Sequence, residues 1–399
     1  MTEAEASPAR TDRLFGWVLI ALVVLALVVV AGRDVLAGDQ TLRLDSTIYR
    51  NAINGMLAGH NLYDYSLSLY DRQFPFNYPP FAALLLMPFA VLPVGWSQGL
   101  WMVLQILVAG AAVKVVITRA APGRLPRDWR GLAILLVATI VFLISASAMQ
   151  SLLLGQVSLL VGVAVLIDLL VVPPRWRGLL TGAAGAVKLL PLIYLPYLLI
   201  TRQWRTAAHT ALGFVVATGL AWAVLPNESL RYWTQVLFDT SRVGELGDLR
   251  NKSILGLMAH WELGGSAQRW VWLGLAAVVV LAGLWRAWRH HHADQELAAV
   301  LVMGVVAGLI SPISWPHHLA LLALVPLYLL AVGGRRWTVV GAVMVLAFCY
   351  WSPAAIPVDR VPLWQQAGQY LMTIAMAVLV VFGLPAPRPP DRQELTDVG

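Results

Sequence analysis

Residues 131–167 read GLAILLVATIVFLISASAMQSLLLGQVSLLVGVAVLI and contain no charged side chain. One helical crossing of a bilayer needs about 20 apolar residues, so this stretch is long enough for two elements in succession. Similar uncharged runs recur along the chain, at 14–32, 73–113, 206–227, 270–285, 297–334, 337–358 and 361–387. The pattern predicts an all-α polytopic membrane protein.

The composition agrees with that class. Charged residues make up 12% of the 399 residues and hydrophobic residues 59%, whereas an ordinary soluble domain is roughly 25% charged. A lone cysteine, Cys349, excludes a scaffold of internal disulfides. The net charge of +7 would suggest nucleic acid in a soluble chain. Here the basic residues follow the membrane topology, and we expect no nucleic-acid partner.

Breaking the uncharged runs at polar residues, proline and glycine predicts about ten to twelve transmembrane helices. The clearest spans are 14–32, 97–118, 131–149, 154–172, 207–225, 268–288, 295–311, 317–333, 337–351 and 364–384. Arginines cluster between them, and cytoplasmic loops collect such residues. The clusters are Arg10/Arg13, Arg119/Arg124/Arg127/Arg130, Arg175/Arg177, Arg202/Arg205, Arg286/Arg289, Arg335/Arg336 and Arg388/Arg392. With all of them inside, both termini of a plasma-membrane protein are cytoplasmic.

Two apolar segments must not cross the membrane if all the arginine clusters share one side. Segment 76–93 contains four prolines and segment 178–201 contains two, and each proline removes an amide donor from a helix. We therefore predict an interfacial helix in the first segment. In the second we predict a re-entrant hairpin.

The chain is expected to form one integral-membrane domain over residues 14–384. A cytoplasmic tail, 1–13, precedes it, and a disordered cytoplasmic tail, 385–399, follows it. Two long outer loops, 33–96 and 226–267, lie on the face opposite the arginine clusters. Long loops on a packed helical scaffold are where function concentrates.

Polar residues from separate regions of the sequence are predicted to lie at the outer surface of the membrane, on the side of the two long loops. They are Asp45, Tyr78, Gln156, the Asn251-Lys252-Ser253 triplet and the Trp315-Pro316-His317-His318 run. Asp45 has two interpretations. The apolar residues after Asp45 recur at helical spacing, and Asp45 can be the N-cap of that predicted helix. Alternatively, its carboxylate can accept a proton from a substrate hydroxyl just outside the hydrocarbon core of the bilayer.

His317 and His318 open a predicted span at its outer end. Their imidazoles can hydrogen-bond a phosphate, or they can be an interfacial pair beside Trp315. Adjacent histidines on a helix point about 100° apart, which disfavours a shared metal ion. We expect no metal site here, and we interpret His290-His291-His292 as a solvated run in a cytoplasmic loop.

Lys188 is the only basic residue between 178 and 201 before the closing arginine pair, three positions before Pro191. A charge at that depth needs compensation. A lipid phosphate could supply it, and so could Asp168 or a backbone carbonyl. In the second outer loop, Arg250 and Lys252 could contact an anionic lipid head group.

Six short motifs in order carry a resemblance to a known family. An acidic residue in the first outer loop is followed by Phe76-Asn77-Tyr78-Pro79-Pro80-Phe81, Gly155-Gln156-Val157-Ser158-Leu159-Leu160, Lys188-Leu189-Leu190-Pro191, Asn251-Lys252-Ser253 and Ser311-Pro312-Ile313-Ser314-Trp315-Pro316-His317-His318. Over roughly 14–384 the chain resembles glycosyltransferase family 87 of the GT-C superfamily. Its best-known members are polyprenyl-phosphate-mannose-dependent α-(1→2)-mannosyltransferases. The family's usual Asn-Gln-Ser reads Asn-Lys-Ser here.

The resemblance implies a GT-C-type fold and an outer-face active site. It also implies an inverting transfer, without metal or cofactor, from a polyprenyl-phosphate sugar to a glycolipid. Asp45 would be the catalytic base, and Lys188, His317 and His318 would bind the donor phosphate. The remaining candidate substrate contacts are Tyr49, Tyr78, Gln156, Arg250, Asn251, Lys252 and Trp315.

Other function classes remain open at this stage. A transferase that uses another polyprenyl-linked sugar, such as arabinose or glucose, is the nearest alternative. A secondary transporter would also have many spans, but the long outer loops and the lack of an internal duplication disfavour it. A non-enzymatic lipid-binding protein is a third possibility.

Overall fold

The computed structural model describes residues 43–69, 72–348 and 363–387. The predicted first span, 14–32, and the N-terminal tail, 1–13, lie outside the described residues, as does most of the C-terminal tail. The helices are α1 (Leu44–Leu57), α2 (Pro80–Ala90), α3 (Val94–Ala120), α4 (Trp129–Leu143), α5 (Ala146–Leu154), α6 (Ser158–Leu170), α7 (Leu179–Val187), α8 (Tyr194–Ile200), α9 (Trp204–Val224), α10 (Pro226–Thr234), α11 (Ile254–His260), α12 (Gln268–His291), α13 (Glu296–Ile310), α14 (Ala320–Ala323), α15 (Val325–Val332), α16 (Arg335–Phe348) and α17 (Leu363–Phe382). The predicted all-α class is thus confirmed in its main feature.

A small hairpin is the exception to the helical architecture in the described chain. Strands β1 (Ser66–Leu69) and β2 (Arg72–Pro75) pair antiparallel, with Ser66 opposite Pro75. The hairpin belongs to the predicted first outer loop. It leads into Tyr78 and the proline pair at which α2 begins.

Several helices are suited to a bilayer by length and composition. Among the described residues, Val94–Ala120, Trp204–Val224 and Gly265–His291 are long and apolar enough to cross one, and the bent pair α4–α5 would be a fourth span. Many large apolar side chains on them face outward, including Val215, Leu220, Val278 and Leu281. Lipid chains are the natural cover for such surfaces. The finer count of ten to twelve spans stays a prediction.

The uncharged run 131–167 does form successive helices, but their boundaries differ from the predicted spans 131–149 and 154–172. The side chain of Ser145 accepts a hydrogen bond from the amide of Ala148, and the chain bends by 76° between α4 and α5. Helix α5 then ends at Gly155, which has the left-handed φ of 70°. A local cap and a left-handed residue therefore replace two long helices by three shorter ones.

The segment predicted to be a re-entrant hairpin is also broken. Helix α7 ends at Lys188, whose backbone is extended, and a 3-10 turn over Leu190–Ile193 leads into α8. Pro191 lies in that turn. The break is where the sequence predicts it, while the depth of this segment in the membrane stays a prediction.

Glycines bring α7 close to α9. A Cβ atom on Gly182 would lie 2.0 Å from the Thr210 carbonyl oxygen, and one on Gly213 would lie 2.3 Å from the Leu179 oxygen. Both neighbours are backbone atoms, which cannot rotate away. Small residues of this kind let helix backbones approach closely in membranes. The contact fixes α7, and with it Lys188, against the longer helix.

One more predicted span is interrupted in the last third of the chain. Helix α13 covers most of the predicted span 295–311, but the predicted span 317–333 consists of a 3-10 turn, α14 and α15. His317 and His318 lie in that first turn rather than on a regular helix. The turn packs against α5 and α6, which carry Gln156 between them.

The close contact between α7 and α9, here called the seam, leads to a prediction about stability. Gly182→Ala should lower the free energy of unfolding by about 1–3 kcal/mol, because overpacking against the backbone of α9 cannot be relieved by a rotamer change. The measurement is thermal unfolding of the protein in detergent. Gly219→Ala in α9 is the matched control, since nothing lies within 4 Å of its would-be Cβ atom. Equal melting temperatures for the two variants would contradict the proposed seam.

Candidate active site

Asp45 lies in the first turn of α1, not at its cap. The cap position is Arg43, whose side chain makes no capping hydrogen bond. The interpretation of Asp45 as the helix N-cap is therefore wrong. The carboxylate is half-buried and is hydrogen-bonded by Gln156, which belongs to the break between α5 and α6.

Gln156 is the centre of a polar cluster. Its side-chain oxygen lies 3.0 Å from the Tyr49 hydroxyl, 2.9 Å from the Tyr78 hydroxyl and 3.4 Å from Ser158 Oγ. The two tyrosine hydroxyls are 3.1 Å apart. Three of the predicted outer-edge residues, Asp45, Tyr78 and Gln156, thus meet in space, together with Tyr49.

Lys188 joins this cluster from the break after α7. Its Nζ donates to Ser158 Oγ at 2.8 Å and lies 5.4 Å above the centre of the Tyr78 ring. Pairing of Lys188 with Asp168, one of the structural alternatives, is wrong. The Asp168 carboxylate instead accepts from the amides of Gly178 and Thr181 at 2.9 and 2.7 Å. Lys188 is left directed at the polar cluster.

The two histidines lie within electrostatic range of Lys188. The positive charge of Lys188 acts on both His317 and His318, whose rings are 4.6 Å apart. Within the part of the chain that the structure describes, both ring nitrogens of His317, Nδ1 of His318 and Oγ of Ser314 are buried without a hydrogen-bond partner. Buried polar atoms without partners are rare, so this group is well suited to receive an anionic ligand.

The Asp45 carboxyl belongs to the predicted first outer loop, and its environment makes it a weak acid. Burial raises the pKa of Asp45 to about 7, while the hydrogen bond from Gln156 and the charge of Lys188 lower it. A carboxylate with a pKa near neutrality is a better proton acceptor than an exposed one. The site therefore combines a base with a cation and two imidazoles.

The Asn251-Lys252-Ser253 triplet has a structural role. The side-chain oxygen of Asn251 accepts from the amide of Ser314 at 2.9 Å, and its nitrogen donates to the Pro312 carbonyl at 3.2 Å. Ser253 Oγ donates to the same carbonyl. The triplet thus ties the second outer loop to the segment that carries the histidines. The predicted substrate contacts of Asn251 and Lys252 stay predictions.

Arg250 and Trp315 contact each other at the edge of the same region. The Arg250 guanidinium lies 5.6 Å from the Trp315 ring centre and forms an ion pair with Asp248. Trp315 directly precedes the turn that carries the two histidines, as the interpretation of an interfacial histidine pair beside Trp315 assumes. A contact of either side chain with substrate stays a prediction.

The interpretation of His290-His291-His292 as a solvated run is wrong for its first member. His290 is 7% exposed, and its ring accepts from the amide of Leu384 at 3.2 Å. His291 pairs with Glu296 at 2.6 Å. Among the described residues, no group of three or more His, Cys, Asp or Glu side chains converges on one point.

Sequence reasoning missed the contacts that hold the two outer loops together. The Asn77 amide donates to the Arg242 carbonyl at 2.8 Å, and the Arg242 guanidinium donates to the Tyr63 carbonyl at 3.0 Å. Arg231 pairs with Asp64 nearby. These partners are more than 160 residues apart in sequence, so no local pattern could have indicated them.

The comparisons with known proteins agree with the motifs. The family model described as glycosyltransferase family 87 matches residues 76–312. The chain therefore belongs to glycosyltransferase family 87, and the resemblance drawn from the six motifs is confirmed.

Two relatives match over more than nine tenths of this chain. A polyprenol-phosphate-mannose-dependent alpha-(1-2)-phosphatidylinositol mannoside mannosyltransferase of Mycobacterium tuberculosis is 30% identical, with 94% of this chain and 92% of the relative covered. The protein of the same description from Mycolicibacterium smegmatis is 31% identical, with 92% and 89% covered. Among solved structures, ArnT from Cupriavidus metallidurans bound to undecaprenyl phosphate has a TM-score of 0.43 and 15% identity, covering 90% of this chain and 70% of that one.

The role assigned to Asn251 predicts a stability defect. Asn251→Ala should destabilise the protein by about 1–3 kcal/mol, since buried backbone groups lose their partners. Thermal unfolding in detergent measures this. Gln268→Ala removes an exposed amide with a single backbone bond and serves as the control. A large loss of activity in Asn251→Ala at unchanged stability would instead favour direct substrate contact.

Proposed function

We propose that this protein transfers mannose from a polyprenyl-phosphate-mannose donor to a glycolipid acceptor, with inversion at the anomeric carbon. The family and the named relatives, which match over about nine tenths of both chains, support this donor and an acceptor of the phosphatidylinositol mannoside type. We further propose an α-(1→2) linkage, by the same likeness.

The single observation that carries the proposal is the polar chain from Asp45 to Lys188. A base is linked through Gln156 and Ser158 to a cation. Among the described residues, both ring nitrogens of His317 and Nδ1 of His318 are buried without a hydrogen-bond partner, and both rings are within electrostatic range of that cation. A sugar phosphate has complementary parts. Its phosphate fits the cation and imidazoles, while the anomeric carbon would face the side on which an acceptor hydroxyl reaches the base.

The chemistry is one in-line displacement. The acceptor oxygen forms a bond to the anomeric carbon as the bond from that carbon to the phosphate oxygen breaks. The hydroxyl proton passes to the Asp45 carboxylate, and the electron pair of the broken bond stays on the departing polyprenyl phosphate. Attack from the face opposite the phosphate inverts the configuration.

One carboxylate is sufficient for this reaction. Glycosidases need a second carboxylic acid to protonate the leaving oxygen, whereas a phosphate leaves as a stable anion. Lys188 would stabilise the charge that develops on it, and His317 and His318 would donate hydrogen bonds. Such donors are most effective in a site that excludes water.

We propose that the site opens on the outer face of the plasma membrane. The arginine clusters assign the face opposite the outer loops to the cytoplasm, and Asp45 and Tyr78 belong to the first of those loops. A lipid-linked donor would then reach the site from within the membrane.

The direct test is an assay with purified protein and labelled polyprenyl-phosphate mannose. Labelled glycolipid that forms only when donor and acceptor are both present supports the proposal. Product from polyprenyl-phosphate arabinose or glucose, but not from the mannose donor, would replace the donor assignment. Uptake of label into proteoliposomes without a covalent product would favour transport.

Asp45→Asn should lower turnover by at least about 10²-fold, because general base catalysis typically supplies about 10²–10⁴-fold. Expression and thermal stability should stay unchanged. Asp128→Asn is the control, since Asp128 is a helix cap that accepts from two backbone amides and asparagine caps about as well. Near-normal transfer by Asp45→Asn would refute the mechanism.

The pH profile gives the same prediction a second readout. The base must be ionised, and burial raises the pKa of Asp45 to about 7, so the acid limb of the wild-type pH profile should lie near pH 7. For an ordinary aspartate this limb would lie near pH 4. The residual activity of Asp45→Asn should lack the limb.

Lys188→Met should impair use of the donor more than use of the acceptor, since it keeps the apolar stem and removes the charge. Hydrogen bonds to charged groups contribute about 1.5–3 kcal/mol, which corresponds to a loss of about tenfold to hundredfold in donor efficiency. Lys114→Met, on the exposed side of α3, is the control. Unchanged donor kinetics would assign Lys188 a structural role.

The orientation is tested with single cysteines in a Cys349→Ser background. Glu245→Cys lies in the second outer loop and should react with an impermeant thiol reagent in intact cells. Arg127→Cys lies in an arginine cluster and should react only after lysis. Both positions are exposed, so equal labelling of the two in intact cells would overturn the assignment of faces.

A further inference from the structure

Gln156 is held on a rigid piece of backbone. Its amide donates to the Ser151 carbonyl at 2.9 Å, and the carbonyl of Gly155 accepts from the Trp101 indole at 2.9 Å. A Cβ atom on Gly155 would lie 2.7 Å from the side chain of Ser46, which is next to Asp45. Close approach at this glycine sets the distance between the Gln156 backbone and the start of α1.

The side-chain amide of Gln156 has an oxygen that can accept from hydroxyl groups and a nitrogen that can donate to the Asp45 carboxylate. An ionised carboxylate can only accept hydrogen bonds, so the Gln156 nitrogen must face Asp45. The oxygen then faces Tyr49, Tyr78 and Ser158, all of which can donate to it. The side chain is therefore fixed at both ends by protein groups.

We propose that Gln156 is a positioning residue, which orients the Asp45 carboxylate and links it through Ser158 to Lys188, and that it does not itself bind substrate. This inference rests on the proposed function of the site. It differs from the expectation drawn from the sequence, in which Gln156 contacts substrate. With 3% of its surface exposed and both ends of the amide engaged, the side chain has no free group to offer a sugar.

The link has a chemical purpose. Lys188 would bind the donor phosphate, and Asp45 would take a proton from the acceptor. A fixed hydrogen-bonded chain, Lys188–Ser158–Gln156–Asp45, holds these two groups at a constant separation, as an in-line displacement requires. Removal of the Gln156 amide would leave the carboxylate buried with one stabilising hydrogen bond fewer.

The groups that face Asp45 must be considered before a pH profile is interpreted. Tyr49 on its own helix, Tyr78 ahead of α2 and Lys188 after α7 interact electrostatically with it. Both tyrosines are neutral at working pH, so Lys188 is the charge that acts on the carboxylate. Lys188 also interacts electrostatically with His317 and His318.

The test compares Gln156→Met with Gln105→Met in the transfer assay from pH 5 to pH 9.5. Gln105 is the matched control because it is a similarly buried amide, 3.0 Å from the Ser151 hydroxyl, and in the described part of the chain it makes no hydrogen bond to Asp45. Methionine keeps the length and volume of glutamine in both variants. Rate constants and Michaelis constants for donor and acceptor are measured at each pH.

For Gln156→Met we expect the acid limb to move up by about one to two pH units, because a hydrogen bond to the charged form is lost. Relative to wild type, the rate constant should fall about five- to fiftyfold at pH 7 and by less at pH 9. Both Michaelis constants should change less than threefold. Gln105→Met should keep the wild-type limb. A raised Michaelis constant with an unmoved limb would overturn the proposal and restore substrate binding by Gln156.

Ser158→Ala provides a second variant if Gln156→Met does not fold. It removes the bridge to Lys188 without touching Asp45, and a smaller upward movement of the limb is expected. An unmoved limb in this variant would overturn the link to Lys188. Failure of the proposed function is distinguishable, since it would appear as a wild-type profile without a limb that depends on Asp45. Failure of the present inference leaves that limb intact in both Gln156→Met and Ser158→Ala.

Discussion

The arrangement of the site follows from the cost of placing a charge away from water. A carboxylate and an ammonium group both lie in a largely apolar helical protein, and each needs compensation. They do not form a direct ion pair. A serine hydroxyl and a glutamine amide lie between Lys188 and Asp45, so each charge is stabilised at a distance and remains available to a ligand. A direct salt bridge would have neutralised both groups.

The helical membrane class could be predicted because it depends on long uncharged runs, which are a property of composition. The helix boundaries were harder to predict from the sequence. The bend after α4 depends on the side chain of Ser145, and the end of α5 depends on a glycine in the left-handed conformation. The break at Lys188 could be anticipated from Pro191. The two histidines were expected on a helix and lie in a 3-10 turn instead, because Pro316 begins a separate short element.

The members of the site could be proposed from motifs, but their roles could not. Asp45 fits a helix cap by local pattern, and only the position of Arg43 excludes that role. Asp168 was a reasonable partner for Lys188 until its bonds to the start of α7 were known. Asn251 is polar and lies at the outer edge, yet its amide is engaged with backbone groups. Each of these roles is decided by partners far away in sequence.

The hydrogen bonds of Asp168 fix one end of α7, so the length of the helix determines the position of Lys188 at the other end. They anchor the chain at Gly178 and Thr181, and Lys188 follows at the other end of a nine-residue helix. At 1.5 Å per residue, the helix separates anchor and cation by roughly 13 Å. Loss or gain of one residue would shift the cation by about 1.5 Å along the axis and turn it by about 100°. The length of this short helix therefore sets where Lys188 lies relative to the anchor at Gly178 and Thr181. An inserted or deleted residue would move Lys188 away from Ser158, whereas a substitution that keeps the length of the helix would not.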